Sequence, residues 1–451
     1  RHGRAPPSPA DLGCGAFAGR PGVRSIGRLP EVRYWLETLG CPKNQVDSDK
    51  LVGTLEADGY EPAPVPEEAD LVVVNTCAFI EAARQESLEA VLELSEARRR
   101  GARLVVTGCM AERYGPELSA ALPEVDLVAG FGVPVQLIVK GKDKAAMAVP
   151  SFDLLNLPRP PAKAPWAYVK VAEGCDRRCG FCAIPSFRGR QRSRRPDDVL
   201  AEVGSLGVEE VVLVAQDLAS YGRDLGLRRA IVPLVRAVAA SVARVRLLYL
   251  YPSELTDGLI DVMGETGCPY FDLSLQHVAR PLLRRMRRWG DGDRFLARIE
   301  QVRERYPDAA LRSSFIVGYP GETEEDHDRL LAFLEAAELD WAGFFSFSPE
   351  EGTHAAGLTD RVPPTLVSER LAECGEIQDA ITARRRRELV GRRVTVLVDE
   401  PGVARGHREA PEIDGVVRVP ELLAPGSWAD VVVSAAVGPD LEAAPVPGGA
   451  S

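Results

Sequence analysis

Six of the nine cysteines in this chain stand in two patterns that favour metal chemistry. Cys175, Cys179 and Cys182, here called the loop cysteines, follow an apolar run with C-x3-C-x2-C spacing. A structural zinc site needs four ligands, and no fourth Cys or His stands close to these three. A four-iron cluster held by three cysteines leaves one iron open to bind another molecule. The spacing therefore predicts an open iron–sulfur cluster, with a zinc site completed by a distant residue as the alternative.

Three more cysteines, here called the sheet cysteines, each follow the end of an apolar run: Cys41, Cys77 and Cys109. Their spacings of 36 and 32 residues each fit one strand–helix unit. Because the carboxyl ends of parallel strands meet at one crevice, we expect these thiols to converge. The alternative is three unrelated buried cysteines. The other cysteines show no such pattern and are expected to be structural or incidental: Cys14, Cys268 and Cys374.

The elements that must position these cysteines change in character along the chain. Over residues 32–148, short apolar runs alternate with amphipathic helical segments, which predicts a parallel doubly wound sheet. A proline-rich linker over 149–160 leads to residues 161–388, where six strand–helix units predict a partial barrel. Short β-type runs separated by Gly and Pro predict a small all-β barrel over 389–451. Residues 1–31 are expected to be a disordered extension.

Composition excludes several classes of protein. The 451 residues are 45% hydrophobic and 27% charged, with a net charge of −11. We expect no membrane span, because no run approaches the roughly 18 apolar residues that one needs. The cysteines are too sparse for a disulfide scaffold, and the first thirty residues lack the apolar core of a signal peptide. We therefore expect a cytoplasmic protein with reduced thiols, whose acidity suits a basic partner.

The cysteine loop resembles the cluster-binding motif of radical S-adenosylmethionine (SAM) enzymes. Together with the sheet cysteines and the β-rich tail, it resembles the methylthiotransferase family over residues 32–444. Two departures are Gly180, where Thr or Ser is more usual, and the first thirty residues, which lie outside the pattern. Neither removes a cysteine. The following segments resemble the branch that modifies a ribosomal protein: 40–44, 46–48, 183–189, 249–253 and 347–352.

This resemblance implies the fold, the cofactors and the reaction. It implies a flavodoxin-like N-terminal sheet, a radical SAM (βα)6 barrel and an antiparallel TRAM barrel. The cofactors would be SAM and two 4Fe-4S clusters, one on the loop cysteines and a sulfur-bearing one on the sheet cysteines. A 5′-deoxyadenosyl radical would take hydrogen from the β-carbon of an aspartate in the twelfth small-subunit ribosomal protein, and 3-methylthioaspartate would form. No catalytic residue is expected beyond the clusters.

The same resemblance implies partners and leaves one alternative open. A low-potential electron donor such as flavodoxin or ferredoxin would reduce the clusters, and the ribosomal protein would be met free or within the ribosomal subunit. The alternative is the same chemistry on an N6-modified adenosine beside the transfer-RNA anticodon. From residue 388 onward the chain has five Arg, no Lys and ten acidic residues. Phosphate contacts need cations, so this tail favours a basic protein as the target.

The resemblance also implies five contacts of the cofactor. One is Phe181 within the cysteine loop, and four lie at or just after predicted strand ends: Gln216, Ser253, Gln276 and Gly318. Gly318 would let the backbone approach the adenine closely. An ordinary helix start is the alternative for the two glutamines, and a plain turn is the alternative for Gly318.

Arginines also crowd residues 188–195, 284–288 and 384–393. Such runs are mostly solvated helix faces. The first run follows the cysteine loop, and its alternative role is to position the substrate or the cofactor carboxylate.

Overall fold

The structure is a computed structural model that describes residues 32–135 and 153–446. The predicted extension over 1–31, with Cys14, lies outside these residues, as does the start of the predicted linker. In the described parts of the chain, none of the helices has both the length and the apolar character that a bilayer crossing requires.

The N-terminal region is a parallel sheet with helices between its strands. Its elements are β1 (Val32–Thr38), α1 (Pro42–Ala57), β2 (Tyr60–Pro62), β3 (Leu71–Thr76), α2 (Glu81–Ala97), β4 (Arg103–Gly108), α3 (Cys109–Ala121) and β5 (Leu127–Ala129). The strand order is β2-β1-β3-β4-β5, with every pair parallel. This is the flavodoxin-like order, so the predicted doubly wound sheet is confirmed. Strand β3 is buried along its whole length, which explains its unbroken apolar run.

The central region is an open barrel of six parallel strands. Its elements are β6 (Trp166–Lys170), β7 (Ala172–Glu173), α4 (Ile184–Phe187), β8 (Arg192–Ser193), α5 (Pro196–Leu206), β9 (Glu210–Val214), α6 (Ile231–Ala239), β10 (Arg244–Leu247), α7 (Asp257–Glu265), β11 (Tyr270–Gln276), α8 (Arg280–Arg285), α9 (Gly292–Arg305), β12 (Ala310–Val317), α10 (Glu324–Ala337), β13 (Trp341–Ser346) and α11 (Pro364–Arg387). Strands β6, β9 and β10 form one half of the barrel, and β11, β12 and β13 form the other. A parallel bridge between Leu250 and Leu273 joins the halves. The predicted six-unit partial barrel is confirmed.

The C-terminal region is a closed five-stranded barrel. Its strands are β14 (Arg393–Glu400), β15 (Val403–Arg405), β16 (Val417–Arg418), β17 (Trp428–Val437) and β18 (Asp440–Pro445). The small barrel predicted from the tail is confirmed, with strand order β14-β15-β16-β18-β17. Four neighbouring pairs are antiparallel, whereas β16 and β18 run parallel. Strand β18 returns from β17 in a hairpin, and closure of the barrel then sets it beside β16 in the same direction.

The segment between β15 and β16, here called the plug segment (residues 406–414), packs into the amino end of the central barrel. Tyr168 donates a hydrogen bond to the Pro411 carbonyl at 2.9 Å, and the Trp341 indole donates to the Arg408 carbonyl at 2.7 Å. The barrel is thus closed at its amino end by the C-terminal region. Its carboxyl end, where barrel enzymes carry their chemistry, faces the N-terminal sheet through α1.

Candidate active site

The three sheet cysteines lie where three adjacent strands end. Cys41 caps α1 just after β1, Cys77 follows β3, and Cys109 is the first residue of α3 after β4. The ends of β3 and β4 are level, because Thr76 pairs with Gly108. The sequence predicted this placement, and the structure brings the three residues to one edge of the sheet.

Asn44, in the first turn of α1, connects this edge. Its backbone N–H donates to the Cys41 carbonyl at 2.8 Å, and its side-chain N–H donates to the Thr76 carbonyl at 3.0 Å. Its side-chain oxygen lies 3.5 Å from the Cys109 sulfur, which donates to it. One buried amide therefore contacts the loops that carry all three cysteines.

Two glycines allow these loops to approach each other. Gly40 has φ +94°, and a Cβ there would lie 2.7 Å from the Cys77 Cβ. Gly108 has φ +88°, and a Cβ there would lie 2.3 Å from the Asn75 side-chain oxygen. Both positions combine a left-handed backbone with a close contact, so a larger residue would push the cysteines apart.

The sheet cysteines differ in how easily they ionise. Burial raises the pKa of Cys77 to about 12, and burial also raises the pKa of Cys109. Burial acts in the same direction on Cys41, but nearby Lys43 and Arg188 outweigh it and lower the Cys41 pKa. The charge of Cys41 in turn raises the pKa of the other two. Neighbouring thiols thus oppose joint ionisation, which a bound metal cation reverses.

The loop cysteines lie between β7 and α4. The Cys175 N–H donates to the Gly189 carbonyl at 3.1 Å, and the Cys182 N–H donates to the Cys179 carbonyl at 3.2 Å. Burial raises the pKa of Cys175 to about 11 and that of Cys182 to about 12. The backbone therefore fixes a loop on which three thiols are neighbours.

Arginines frame the loop. The guanidinium groups of Arg177 and Arg288 lie 3.6 and 4.2 Å from the ring centre of Tyr251. Arg288 lies 3.5 Å from the Cys179 sulfur and donates to it, while Arg177 donates to Asp217 at 2.6 Å. A cavity of about 280 Å³ opens beside Cys179. This cavity places cationic donors next to the thiols, where an anionic carboxylate would be favoured.

Of the other sequence-predicted contacts, Gln216 is tied to the residues just before the cysteine loop. Its amide donates to Glu173 at 2.7 Å, and its side-chain oxygen is buried without a partner among the described residues. Ser253 is exposed and lines a separate cavity of about 650 Å³. Phe181 is half-buried against the central core. The free acceptor on Gln216 fits a ligand that brings hydrogen-bond donors.

Gln276 and Gly318 both have left-handed backbones, with φ of +72° and +78°. A Cβ at Gly318 would lie 2.4 Å from a methyl group of Val367 on α11, and its N–H donates to Glu322 at 2.5 Å. Packing against α11 and a tight turn therefore explain why a glycine is needed at position 318. Its approach to an adenine stays a prediction.

Neither set of cysteines forms a closed site for one ion. Across residues 32–135 and 153–446, no three His, Cys, Asp or Glu side chains converge on a point that would hold a metal ion. A four-iron cluster makes a different demand, because each thiolate binds its own iron. Two groups of three neighbouring thiols supply such donors.

The chain matches three families in succession. They are the uncharacterized protein family UPF0004 over residues 33–130, the radical SAM superfamily over 169–334 and the TRAM domain over 390–446. A Streptomyces coelicolor relative, described as ribosomal protein uS12 methylthiotransferase RimO, is 42% identical over 93% of this chain and 98% of its own length. A relative of the same description from Moorella thermoacetica is 44% identical over 86% of this chain and 93% of its own. This chain belongs to the RimO family of radical SAM methylthiotransferases.

The resemblance inferred from the cysteine pattern is thereby confirmed. A RimO-family chain is a transferase of sulfur-containing groups, and the family uses SAM and two 4Fe-4S clusters. Among solved structures, the radical SAM methyltransferase TsrM from Kitasatospora setae matches with a TM-score of 0.47 and 16% identity, covering 88% of this chain and 82% of that one.

Sequence reasoning missed the contact between Arg188 and the sheet cysteines. Arg188 is buried and donates to the Cys109 sulfur at 3.0 Å. The run over 188–195 contains both buried and solvated arginines, since the Arg190 side chain is 93% exposed. The sequence signal that could have found this contact is the short distance along the chain, because Arg188 stands only six residues after Cys182.

Proposed function

We propose that this chain attaches a methylthio group to the β-carbon of an aspartate in ribosomal protein uS12, giving 3-methylthioaspartate. The observation that carries the proposal is the match to RimO relatives along nearly the whole chain, including 93% of it for the Streptomyces coelicolor protein. The acidic tail supports a basic protein as the substrate.

The two sets of cysteines would hold the two clusters. The loop cysteines would bind the SAM cluster, and the sheet cysteines would bind the sulfur-bearing cluster. Bound together, the cofactors supply hydrogen abstraction from an unactivated carbon and a sulfur donor. The proposed contacts of SAM are Phe181, Gln216, Ser253, Gln276 and Gly318.

The side chains around these cofactors would position them and exclude water. Arg288 would stabilise the Cys179 thiolate through its hydrogen bond. Tyr251, in contact with two guanidinium groups, would shield the loop from solvent. Glu173 would orient Gln216 and leave the free side-chain oxygen for a donor on the cofactor. No residue is assigned as a general acid or base, because the cofactors supply the difficult step.

The cellular setting belongs to the same proposal. We propose action in the cytoplasm, on uS12 free or within the ribosomal subunit, with flavodoxin or ferredoxin as the electron donor. The domains would be an N-terminal one over 32–148, a linker over 149–160, a radical SAM core over 161–388 and a TRAM domain over 389–451. The three family matches fall within the three domains.

Anaerobic reconstitution with a peptide carrying the uS12 aspartate loop tests this function. The wild-type protein should bind about eight irons and add a methylthio group to the peptide, as read by mass spectrometry. Cys77→Ala should bind about four irons, still form 5′-deoxyadenosine from SAM, and give no methylthio product. Cys179→Ala should form no 5′-deoxyadenosine. The matched control is Cys374→Ala, a buried cysteine outside both sets, which should keep about eight irons.

A deletion strain separates this proposal from the transfer-RNA alternative. Mass spectrometry of uS12 and of digested transfer RNA should show the methylthio mark lost from the protein. Loss of the mark from the RNA alone would overturn the proposal.

A further inference from the structure

A buried network of four charges lies between the two sets of cysteines. Arg188 donates to Asp47 at 3.0 Å and to Glu173 at 2.9 Å, and Lys170 donates to the same two carboxylates. The side chains of Lys170, Asp47 and Arg188 are at most 3% exposed, and that of Glu173 is 15% exposed. Two cations and two anions cancel, so the network is neutral without any contribution from a thiol.

Arg188 also reaches beyond this network. Its second terminal nitrogen donates to the Cys109 sulfur at 3.0 Å and to the Asn44 side-chain oxygen at 2.7 Å. One arm of the guanidinium group thus binds carboxylates while the other binds a sheet cysteine. The planar fork fixes both arms at once, which a lysine could not do.

The guanidinium group is also shielded from water. The ring centre of Phe131 lies 4.2 Å from its central carbon. A hydrogen bond from a charged donor is stronger in such a water-poor setting than at the surface.

Arg188 belongs to the segment that carries the other set of cysteines. It follows α4 directly, six residues after Cys182, whereas Glu173 stands two residues before Cys175. Both ends of the cysteine loop therefore meet at Arg188, which also contacts Cys109 in the N-terminal region. This is a direct connection between the two proposed cluster sites.

We propose that Arg188 is a positioning residue for the cluster on the sheet cysteines and raises its reduction potential. This inference rests on the proposed cluster-binding role of those cysteines. A cationic N–H donor withdraws electron density from the thiolate it contacts, so it stabilises the more negative, reduced state of the cluster. Loss of the cation would also leave the buried network with a net negative charge. That charge disfavours the reduced cluster, so it too would lower the reduction potential.

The test measures the potential of this cluster alone. In the full-length chain, Cys175→Ala, Cys179→Ala and Cys182→Ala together remove the other site, and the remaining cluster is titrated by electron paramagnetic resonance. Adding Arg188→Met should shift the potential to a lower value, and Arg188→Lys should shift it less because the charge is kept. Adding Asp47→Asn to Arg188→Met restores neutrality, so any remaining shift measures the lost hydrogen bond.

The matched control is Arg159→Met. The side chain of this arginine is equally buried and pairs with Asp49 of α1 and with Glu202, but its hydrogen-bond and ion-pair partners within the described residues include no thiol. Its loss should lower stability and leave the potential unchanged. If Arg188→Met kept the parent potential, Arg188 would have only a structural role and the inference would fall.

Failure of the proposed function would look different. The triple-alanine parent would then bind far fewer than about four irons. If Arg188→Met alone bound no iron, Arg188→Gln and Arg188→Lys would be compared instead. Equal potentials in those two variants and the parent would overturn the inference.

Discussion

Each end of the central barrel carries a cluster of buried charges, but the two clusters contact different kinds of partner. At the amino end, Glu210 accepts hydrogen bonds from Arg246 at 2.8 Å and from Arg405 at 3.1 Å. The Cys268 thiol lies near Arg246, but among the described residues these arginines donate only to oxygen. At the carboxyl end, Arg188 divides its donors between carboxylates and the Cys109 sulfur. The arginines of the first cluster donate to oxygen, whereas the second cluster has a charged donor on a cysteine that we propose as a metal ligand. Burial and charge alone therefore do not identify a functional site.

The amino-end cluster connects the central barrel to the C-terminal barrel. Arg405 belongs to β15 of the C-terminal barrel, whereas Glu210 begins β9 of the central barrel. Their ion pair joins regions almost two hundred residues apart, next to the plug segment. Because buried charges are tolerated only when paired, this cluster specifies how the two regions dock.

The largest expected effect comes from removing the shared anion of the amino-end cluster. Glu210→Ala leaves the buried Arg246 with backbone carbonyls as its only hydrogen-bond acceptors among the described residues, whereas Arg405 keeps Asp399. Breaking a buried pair in this way costs about 3–5 kcal/mol. Urea unfolding of the full chain, followed by circular dichroism, measures the change. A loss below about 1 kcal/mol would mean that the docking does not depend on this cluster.

Acid provides a second way to break the same cluster. Burial opposes ionisation of Glu210, but Arg405 and Arg246 outweigh it and lower its pKa from 4.5 to about 2. A lowered carboxyl pKa adds stability above the unfolded value of 4.5, and this stability is lost as the pH falls toward 2. The difference in unfolding free energy between wild type and Glu210→Gln should therefore shrink by about 3 kcal/mol over that range. A constant difference would contradict the ion-pair explanation.

At the carboxyl end, Asp47→Asn should have a smaller effect on stability. Arg188 and Lys170 both keep Glu173 as a partner, so the loss should be about 2 kcal/mol, typical of a hydrogen bond to a charged group. The same urea experiment measures it. Iron content adds the comparison: Asp47→Asn should change iron retention by the sheet cysteines, and Glu210→Gln should not. Equal retention in both variants would show that the carboxyl-end network is structural too.

The sequence predicted the sheet edge better than it predicted either charge cluster. Cys41, Cys77 and Cys109 could be placed because each follows an apolar run, and parallel strands bring such positions to one edge. Short strands with few apolar residues, such as β2 and β15, give no alternating pattern and were missed.

The charge clusters escaped prediction for a different reason. Glu210 at the start of an apolar run looks like an exposed strand end, and its partner Arg405 lies 195 residues later. Arg188 looks like one member of a solvated run. Hydrophobic periodicity reports which face of an element is buried, but it does not report which distant element covers a charge. The plug segment was missed as well. Its Gly and Pro residues indicate a loop, but they do not indicate which distant element the loop packs against.

The smallest expected effect comes from a solvent-exposed ion pair, which serves as a reference for the two buried clusters. Arg393 on β14 donates to Asp430 on β17 at 2.6 Å, but their side chains are 62% and 35% exposed. Water already solvates such a pair, so Arg393→Ala should change the unfolding free energy by less than about 1 kcal/mol. Added salt should reduce even this difference, because exposed charges are screened. A cost close to that of Glu210→Ala would show that ion pairing itself, and not burial, sets the strength of the amino-end cluster.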